Sequence, residues 1–500
     1  MRLLGKKRQK DANTLLFIPI IFAIGISIIF FVFPTTSAHV LNECRHIINE
    51  LFLPYYLFLG ISFLLGTIYL AFGKWANVRI GGSEAKPIYS NMHWGMMIFT
   101  STMSADILFY SLTEWTMYLK ESPIRHSSQP YIKALSYSLF HWGPIAWSFY
   151  ILLAVAFSYM IYVRKNKRQR FSEACRPILR EKVVGNIGKI IDNLAIISLL
   201  TATATTFSMS LPLLERAIKN TNMVFDSKLE TVLLLTCIVL IYMTISVLGL
   251  RTMSIFSVIT FIFFIVFLIY VLIFGGEASK IIKISGETLY KFGTNFLSMT
   301  FDLKNRSFSE NWTIYYWAYW IVWCIATPFF IGSISYGKTI REIVLGAYFW
   351  GIAGTFLSFL ILGSYGISQV SEGKIAVEGN YASFGMKVLN TLPNSIIPKV
   401  LLVCAMIGLY STVLDSIILV VSRYTQKEVE ITDMPKRKLR FFWSIVFCIL
   451  PMTLLITNKS FVNIQSFALI IALPISFIMV IIVIGLFKEL IGSEKNNESN

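Results

Sequence analysis

Apolar runs about as long as a bilayer is thick recur along this chain, and that recurrence constrains the fold more than any single motif. A helix needs about 20 residues to cross a hydrocarbon core. Inside that core every backbone N–H and C=O must be satisfied within the segment, so runs of this length read as helices. Run length and loop chemistry together divide the chain into about twelve spans, near 14–33, 52–73, 90–119, 133–163, 188–214, 231–250, 254–275, 313–333, 343–366, 397–422, 441–457 and 461–487. Charged residues fill only 14% of the 500 positions and hydrophobic ones 55%, a balance that excludes a soluble globular domain. The first run follows the basic MRLLGKKRQK and is long enough to cross, so it reads as a span and not as a cleaved leader. The expected fold class is an all-α polytopic membrane protein.

The net charge of +17 is loop charge, not a nucleic-acid footprint. The N-terminus, Arg164–Arg170, Lys436–Arg440, Lys74, Arg79, Lys338 and Arg341 all fall on one side when twelve spans are threaded. The positive-inside rule makes that side the cytoplasm and predicts both termini there, in a multi-pass protein of the cell membrane. The longest outer loop, Gly275–Asn311, mixes lysines and apolar residues at helical spacing and reads as an amphipathic interfacial helix. A second outer loop, Ser368–Asn394, reads as irregular, and the polar tail GSEKNNESN as disordered. Six cysteines and five histidines are scattered without pairing or ligand spacing, so no disulfide framework, metal or cofactor is expected.

Three spans carry chemistry. Trp312–Thr339 places Tyr316, Tyr319, Trp320 and Trp323 at offsets of three and four, one side of a helix. Rings inside a span, away from the headgroup belt, suit a quaternary ammonium held by cation–π attraction, or else simply pack. Span four adds Trp142, Trp147 and Tyr150 beside an HWGP break; His141 reads as a packed, hydrogen-bonded histidine. Span three reads TSTMSADILFYSLTEW from Thr100, where hydroxyl-bearing side chains favour local unwinding near Thr100–Ala105. Broken helices at the midplane are where secondary transporters hold substrates and ions. Asp106 and Glu114 are intramembrane acids and therefore functional candidates; the bland alternative for each is a structural acid bonded to hydroxyls. Gly332–Thr339, GSISYGKT, matches the phosphate-loop pattern. That loop needs a preceding strand, and here an aromatic span precedes it, so no nucleotide binding is expected.

With these residues in place, the sequence resembles the betaine–choline–carnitine transporter (BCCT) family over nearly all the spans. The family's W-x-W-W followed by R-I-S-R-G-R-T-I-R-E is matched by Trp317-Ala318-Tyr319-Trp320 and then Ser333-Ile334-Ser335-Tyr336-Gly337-Lys338-Thr339-Ile340-Arg341-Glu342. The HWG of span four and GNIGKIID (Gly185–Asp192) also match, and SYSLFHWGP with VRK looks closest to the carnitine/butyrobetaine exchangers. The resemblance implies two inverted repeats of five helices, spans three to seven and eight to twelve, after two N-terminal helices. It divides the chain into a cytoplasmic N-terminus (1–13), the N-terminal pair (14–89), a first repeat (90–275), an outer helix and loop (276–312), a second repeat (313–487) and a tail (488–500). It also implies a homotrimer and a central site from Trp142, Trp147, Tyr319, Trp320 and Trp323, with Tyr319 in place of the family's usual tryptophan.

Three departures bear on ion coupling. The family's M-G-I-G in span three is here Met103-Ser104-Ala105-Asp106, and proton-coupled choline carriers resemble this chain in having an acid where Asp106 stands. Sodium-coupled members carry Thr-Ser in span ten, where this chain has Thr412-Val413. Sodium-independent exchangers carry an arginine after span six, where this chain has Ile255 with Arg251 displaced. The expected function is secondary transport of a quaternary ammonium compound by sodium-independent, proton-coupled uptake or by exchange. The expected substrate site is Met103, Asp106, Trp142, Trp147, Tyr150, Tyr319, Trp320 and Trp323, with Asp106 and Thr412 as coupling candidates. A non-transporting betaine sensor and a membrane enzyme are the alternatives, although no nucleophile–base pair is visible for an enzyme.

Overall fold

The computed structural model describes residues 2–102, 105–219, 250–302, 304–426, 433–456 and 461–498, with isolated positions between them. Every named element is a helix; among the described residues the one β pairing is a bridge between Arg79 and Thr339. In chain order the helices that matter are α1 (Arg2–Val32), α2 (Pro34–Phe72), α3 (Asn91–Thr102), α4 (Asp106–Tyr118), α5 (Pro130–His141), α6 (Pro144–Ser158), α7 (Asn186–Lys219) and α8 (Leu250–Phe274). There follow α9 (Ala278–Thr300), α10 (Ile314–Val322), α11 (Thr327–Ile334), α12 (Ile340–Ser358), α13 (Tyr381–Asn390), α14 (Ile396–Tyr424), α15 (Arg437–Ile456) and α16 (Phe461–Glu498). Among the described residues eight helical stretches are long and apolar enough to cross a membrane, and the pair ending in α10 and α11, bent by 50°, makes a ninth. The expected span 231–250, the residues Met103 and Ser104, and the side chain of Arg251 lie outside what is described.

Two spans divide into separate helices: span three into α3 and α4 across residues 103–105, of which 103 and 104 lie outside the described residues, and span eight into α10 and α11. At the end of α3 the hydroxyls of Thr100 and Thr102 donate back to the carbonyls of Met96 (3.0 Å) and Ile98 (2.6 Å). Such bonds compete with the helical ladder and weaken it locally. The break between α10 and α11 begins with tight i→i−3 bonds from Trp323 and Cys324. It ends at Pro328 in the first turn of α11, which has no N–H to extend the ladder and suits a helix start. A carbonyl freed in a membrane interior needs a donor. Ser198 of α7 supplies one to Val322 (3.0 Å), Tyr424 of α14 one to Ile325 (3.5 Å), and Thr412 of α14 one to Thr100 (2.9 Å).

Two expectations fail. Glu498 still belongs to α16, so the polar tail continues a helix anchored far upstream. The loop 368–394 contains α13, whose start is capped by the Asn380 side chain accepting from the Ser383 N–H. On one face of the bundle, residues 76–80 pair with 337–341 through backbone bonds such as Ile80 N–H to Lys338 O and Ile340 N–H to Val78 O. Arg164 meets Glu489 at 3.2 Å on the same basic side. The GSISYGKT turn is thus a docking edge for a loop, and Gly337, at φ +76°, lies where a Cβ would strike the Lys86–Pro87 backbone.

Candidate functional site

The two breaks meet at a narrow cavity of about 20 Å³ lined by Thr102, Asp106, Trp142, Tyr150, Tyr319, Trp320, Trp323, Thr327 and Val413. Thr102 and Asp106 flank the break in span three; Trp320, Trp323 and Thr327 flank the break in span eight. Trp320 is the hub of the rings. Its centroid lies 4.8 Å from Tyr150, 5.3 Å from Trp147 and 5.6 Å from Trp142, all tilted or edge-on. Those orientations leave ring faces, where the quadrupole is negative, turned toward shared space.

Asp106 is 2% exposed and lines the cavity. The Tyr319 hydroxyl donates to its Oδ2. Thr206 Oγ1 of α7 sits 2.5 Å from the Tyr319 oxygen and 3.4 Å from the carboxylate, closing a triangle of three oxygens. Tyrosine in place of tryptophan at this position therefore keeps a ring and adds a donor for the acid. Sequence reasoning retained the ring and missed the hydroxyl. The Thr205-Thr206 pair within TATATTFS of span five was the only signal for the third member.

Six of the eight expected substrate-site residues line this cavity; Met103 lies outside the described residues, and Trp147 is not among the lining residues. Trp147 is fully buried behind Trp320 and lies against Gly351, where a Cβ would come within 2.5 Å of its ring. It braces the cage instead of lining it. Tyr316, placed on the same helical side as Tyr319 and Trp320, points one turn further out, where its hydroxyl donates to Glu114 Oε2 (2.5 Å) and its ring stacks on His141 at 4.8 Å. Thr412 is occupied by the carbonyls of Thr100, Gly408 and Leu409, while Val413 beside it faces the cavity. Ile255 is 54% exposed on the outside of α8 and is not among the cavity-lining residues. No group of three or more metal-ligating side chains occurs among the described residues.

Membrane-length helices, two of them broken so that an acid and a ring cage face each other between the breaks, have the build of a secondary transporter. The chain belongs to the betaine/carnitine/choline transporter (BCCT) family, whose profile matches residues 14–495. A probable glycine betaine transporter of Desulfitobacterium hafniense is 26% identical over 96% of this chain and 98% of its own. An osmo-dependent choline transporter, BetT2, of Acinetobacter baylyi is 27% identical over 90% of this chain and 67% of its own. A high-affinity choline transport protein of Escherichia coli K12 is 26% identical over 99% of this chain and 75% of its own. The molecule is a multi-pass membrane transporter of quaternary ammonium compounds and not an enzyme.

Proposed function

We propose that this protein takes up a choline-type trimethylammonium cation by a sodium-independent, proton-coupled route. The observation that carries the reading is Asp106, a carboxylate on the wall of a cage otherwise made of Trp142, Tyr150, Tyr319, Trp320 and Trp323. A trimethylammonium head offers no hydrogen-bond donor, so rings and a fixed negative charge are the groups that can hold it. The same charge repels the carboxylate of betaine or carnitine, which favours choline. A space of about 20 Å³ has room for roughly one water, so the rings must part to admit the head. Motion of the two broken spans against α7 and α14 supplies that opening.

Sodium independence is supported by Val413, which presents methyl groups to the cavity where sodium-coupled relatives of the family carry a hydroxyl, and hard cations need oxygen ligands. Cross-capping supports the inverted-repeat reading: α14 donates to the break in span three and α7 to the break in span eight. The cytoplasmic termini and the trimer belong to the same proposal and rest on loop charge and family resemblance. Uptake of labelled choline, betaine and carnitine into proteoliposomes, under imposed proton, sodium or no gradient, tests the function. Binding without counterflow would make the protein a sensor instead.

A further inference from the structure

Glu114 sits about two turns further along α4 than Asp106, fully buried and away from the cavity-lining set. Its carboxylate accepts from the Trp142 indole N–H (2.8 Å), the Tyr316 hydroxyl (2.5 Å) and the Tyr118 hydroxyl (3.0 Å). The Tyr118 oxygen also lies 2.7 Å from His141 Nδ1, and His141 Nε2 lies 3.1 Å from Thr313 Oγ1. Four side chains from three segments thus form one unbroken hydrogen-bonded line. Its far end, Thr313, is buried beside Trp312, one of the residues that line a cavity of about 770 Å³. Arg45, Glu50, Lys120 and Glu121 also line that cavity, on the side opposite the basic loops. Trp312 covers the line: its ring meets that of Tyr118 at 4.9 Å and its N–H donates to Glu121 (2.8 Å). The near end is Trp142, a wall of the substrate cage.

A structural acid needs donors; it does not need a histidine and a tyrosine arranged in series toward an aqueous cavity. We propose that Glu114 carries the coupling proton of the transport cycle, loaded from the outer cavity through Thr313, His141 and Tyr118. The proposal rests on the choline-uptake reading and assigns its proton to Glu114, leaving Asp106 the selecting charge. A proton arriving at the Thr313 end is taken by His141 Nε2. His141 passes its Nδ1 proton to the Tyr118 oxygen, and Tyr118 passes its own to Glu114. The balance is one proton in and one on the carboxylate, with His141 left as the other neutral tautomer, now accepting from Tyr118. The Glu114–Trp142 bond then ties proton load to the cage wall, because a neutral carboxyl is a weaker acceptor than a carboxylate.

The titratable groups nearby are consistent with a single-proton site. Tyr110 and Tyr118 lie on its own helix, Tyr137 and His141 on α5, and Tyr315 and Tyr316 on α10. Of the other helices packed on α4, α7 brings Thr206, bonded near Asp106; α13 brings Lys387 and also Tyr381, which is engaged with Lys120 at 3.0 Å. Tyr410 of α14 bonds Ser210, and Tyr348 of α12 bonds Thr67. No lysine or arginine among the described residues hydrogen-bonds to the Glu114 carboxylate.

The test is choline counterflow beside proton-driven accumulation in proteoliposomes of the full-length protein. With one proton per cation, a one-unit inward pH gradient can raise the accumulation ratio up to about tenfold. Glu114→Gln and Tyr118→Phe are each expected to exchange choline still, yet to hold that ratio near one. Tyr118→Phe leaves the carboxylate and its Trp142 bond in place, so it decides the matter if Glu114→Gln is not recovered in folded form. Both variants keeping the wild-type ratio, or Asp106→Asn alone abolishing it, would overturn the assignment. Wild-type counterflow with no response to the gradient sinks the proton role while leaving choline transport standing. No wild-type counterflow at all removes the reading beneath it.

Discussion

Asp106 and Glu114 are acids on one helix with opposite surroundings. Asp106 borders a cavity and shares a cluster of hydroxyl oxygens with Tyr319 and Thr206. Glu114 does not line that cavity, and its carboxylate accepts from the polar edges of three aromatic rings. The difference teaches that an intramembrane acid is read by what stands beside it and not by its cost alone. An acid facing a ring-lined cavity can meet a cation directly; one sealed behind donors can act only by exchanging a proton or orienting its neighbours.

The contrast is sharpest when the cage itself is cut. Trp320→Ala and Trp323→Ala are each expected to weaken choline binding about thirtyfold, from roughly 2 kcal/mol for a desolvated cation–π contact. Trp320 touches three other rings, so its loss also loosens Trp142 and Tyr150. Equilibrium binding to purified protein, with monodispersity confirming the fold, measures this. Unchanged affinity in both variants would mean the rings only pack.

Next comes the charge. Asp106→Asn is expected to lower choline affinity about tenfold and to narrow the preference over betaine, by removal of one Coulombic partner worth roughly 1.4 kcal/mol at this distance scale. Competition assays against labelled choline give the ratio. A preference order that survives the change would erase the distinction drawn between the two acids. Tyr319→Phe should do less. It keeps the ring face and removes one donor to the carboxylate, for an expected loss of about fivefold, near 1 kcal/mol for a hydrogen bond.

Some of this was legible in the chain and some was not. Run length found the eight or nine membrane-length stretches of the described residues because a bilayer sets a minimum length for a span. The division of span three into two helices was legible because four hydroxyl-bearing residues crowd the Thr100–Ala105 segment. The Tyr319–Asp106 bond was not, since it joins residues 213 apart and no spacing rule reaches across two helices. Helical offsets put Tyr316 beside Tyr319, but the offset gives a side and not a depth, and one turn was enough to move Tyr316 from the cage to Glu114. The backing role of Trp147 depends on Gly351 in another helix, which only packing reveals. Gly351→Ala should therefore push Trp147 onto Trp320 and reduce affinity about fivefold, the low end of the roughly 1–3 kcal/mol of an overpacked site. A wild-type binding isotherm for that variant would show Trp147 free to move aside.

The smallest expected effect is none. Replacing sodium by potassium at fixed membrane potential should leave choline uptake unchanged. Sodium needs several oxygens at once. At the span-ten position the Thr412 hydroxyl already donates to the Thr100 carbonyl, and Val413 turns methyl groups to the cavity. Thr412 can offer an oxygen lone pair while its hydrogen still caps the Thr100 carbonyl, but Val413 offers none, so the position supplies one ligand where a hydroxyl pair would supply two. Val413→Ser restores the missing hydroxyl without adding charge. If that variant alone becomes sodium-stimulated, the side chain at 413 decides coupling. If the parent already collapses in potassium, the ion is held elsewhere, and the division of labour between Asp106 and Glu114 has to be redrawn around it.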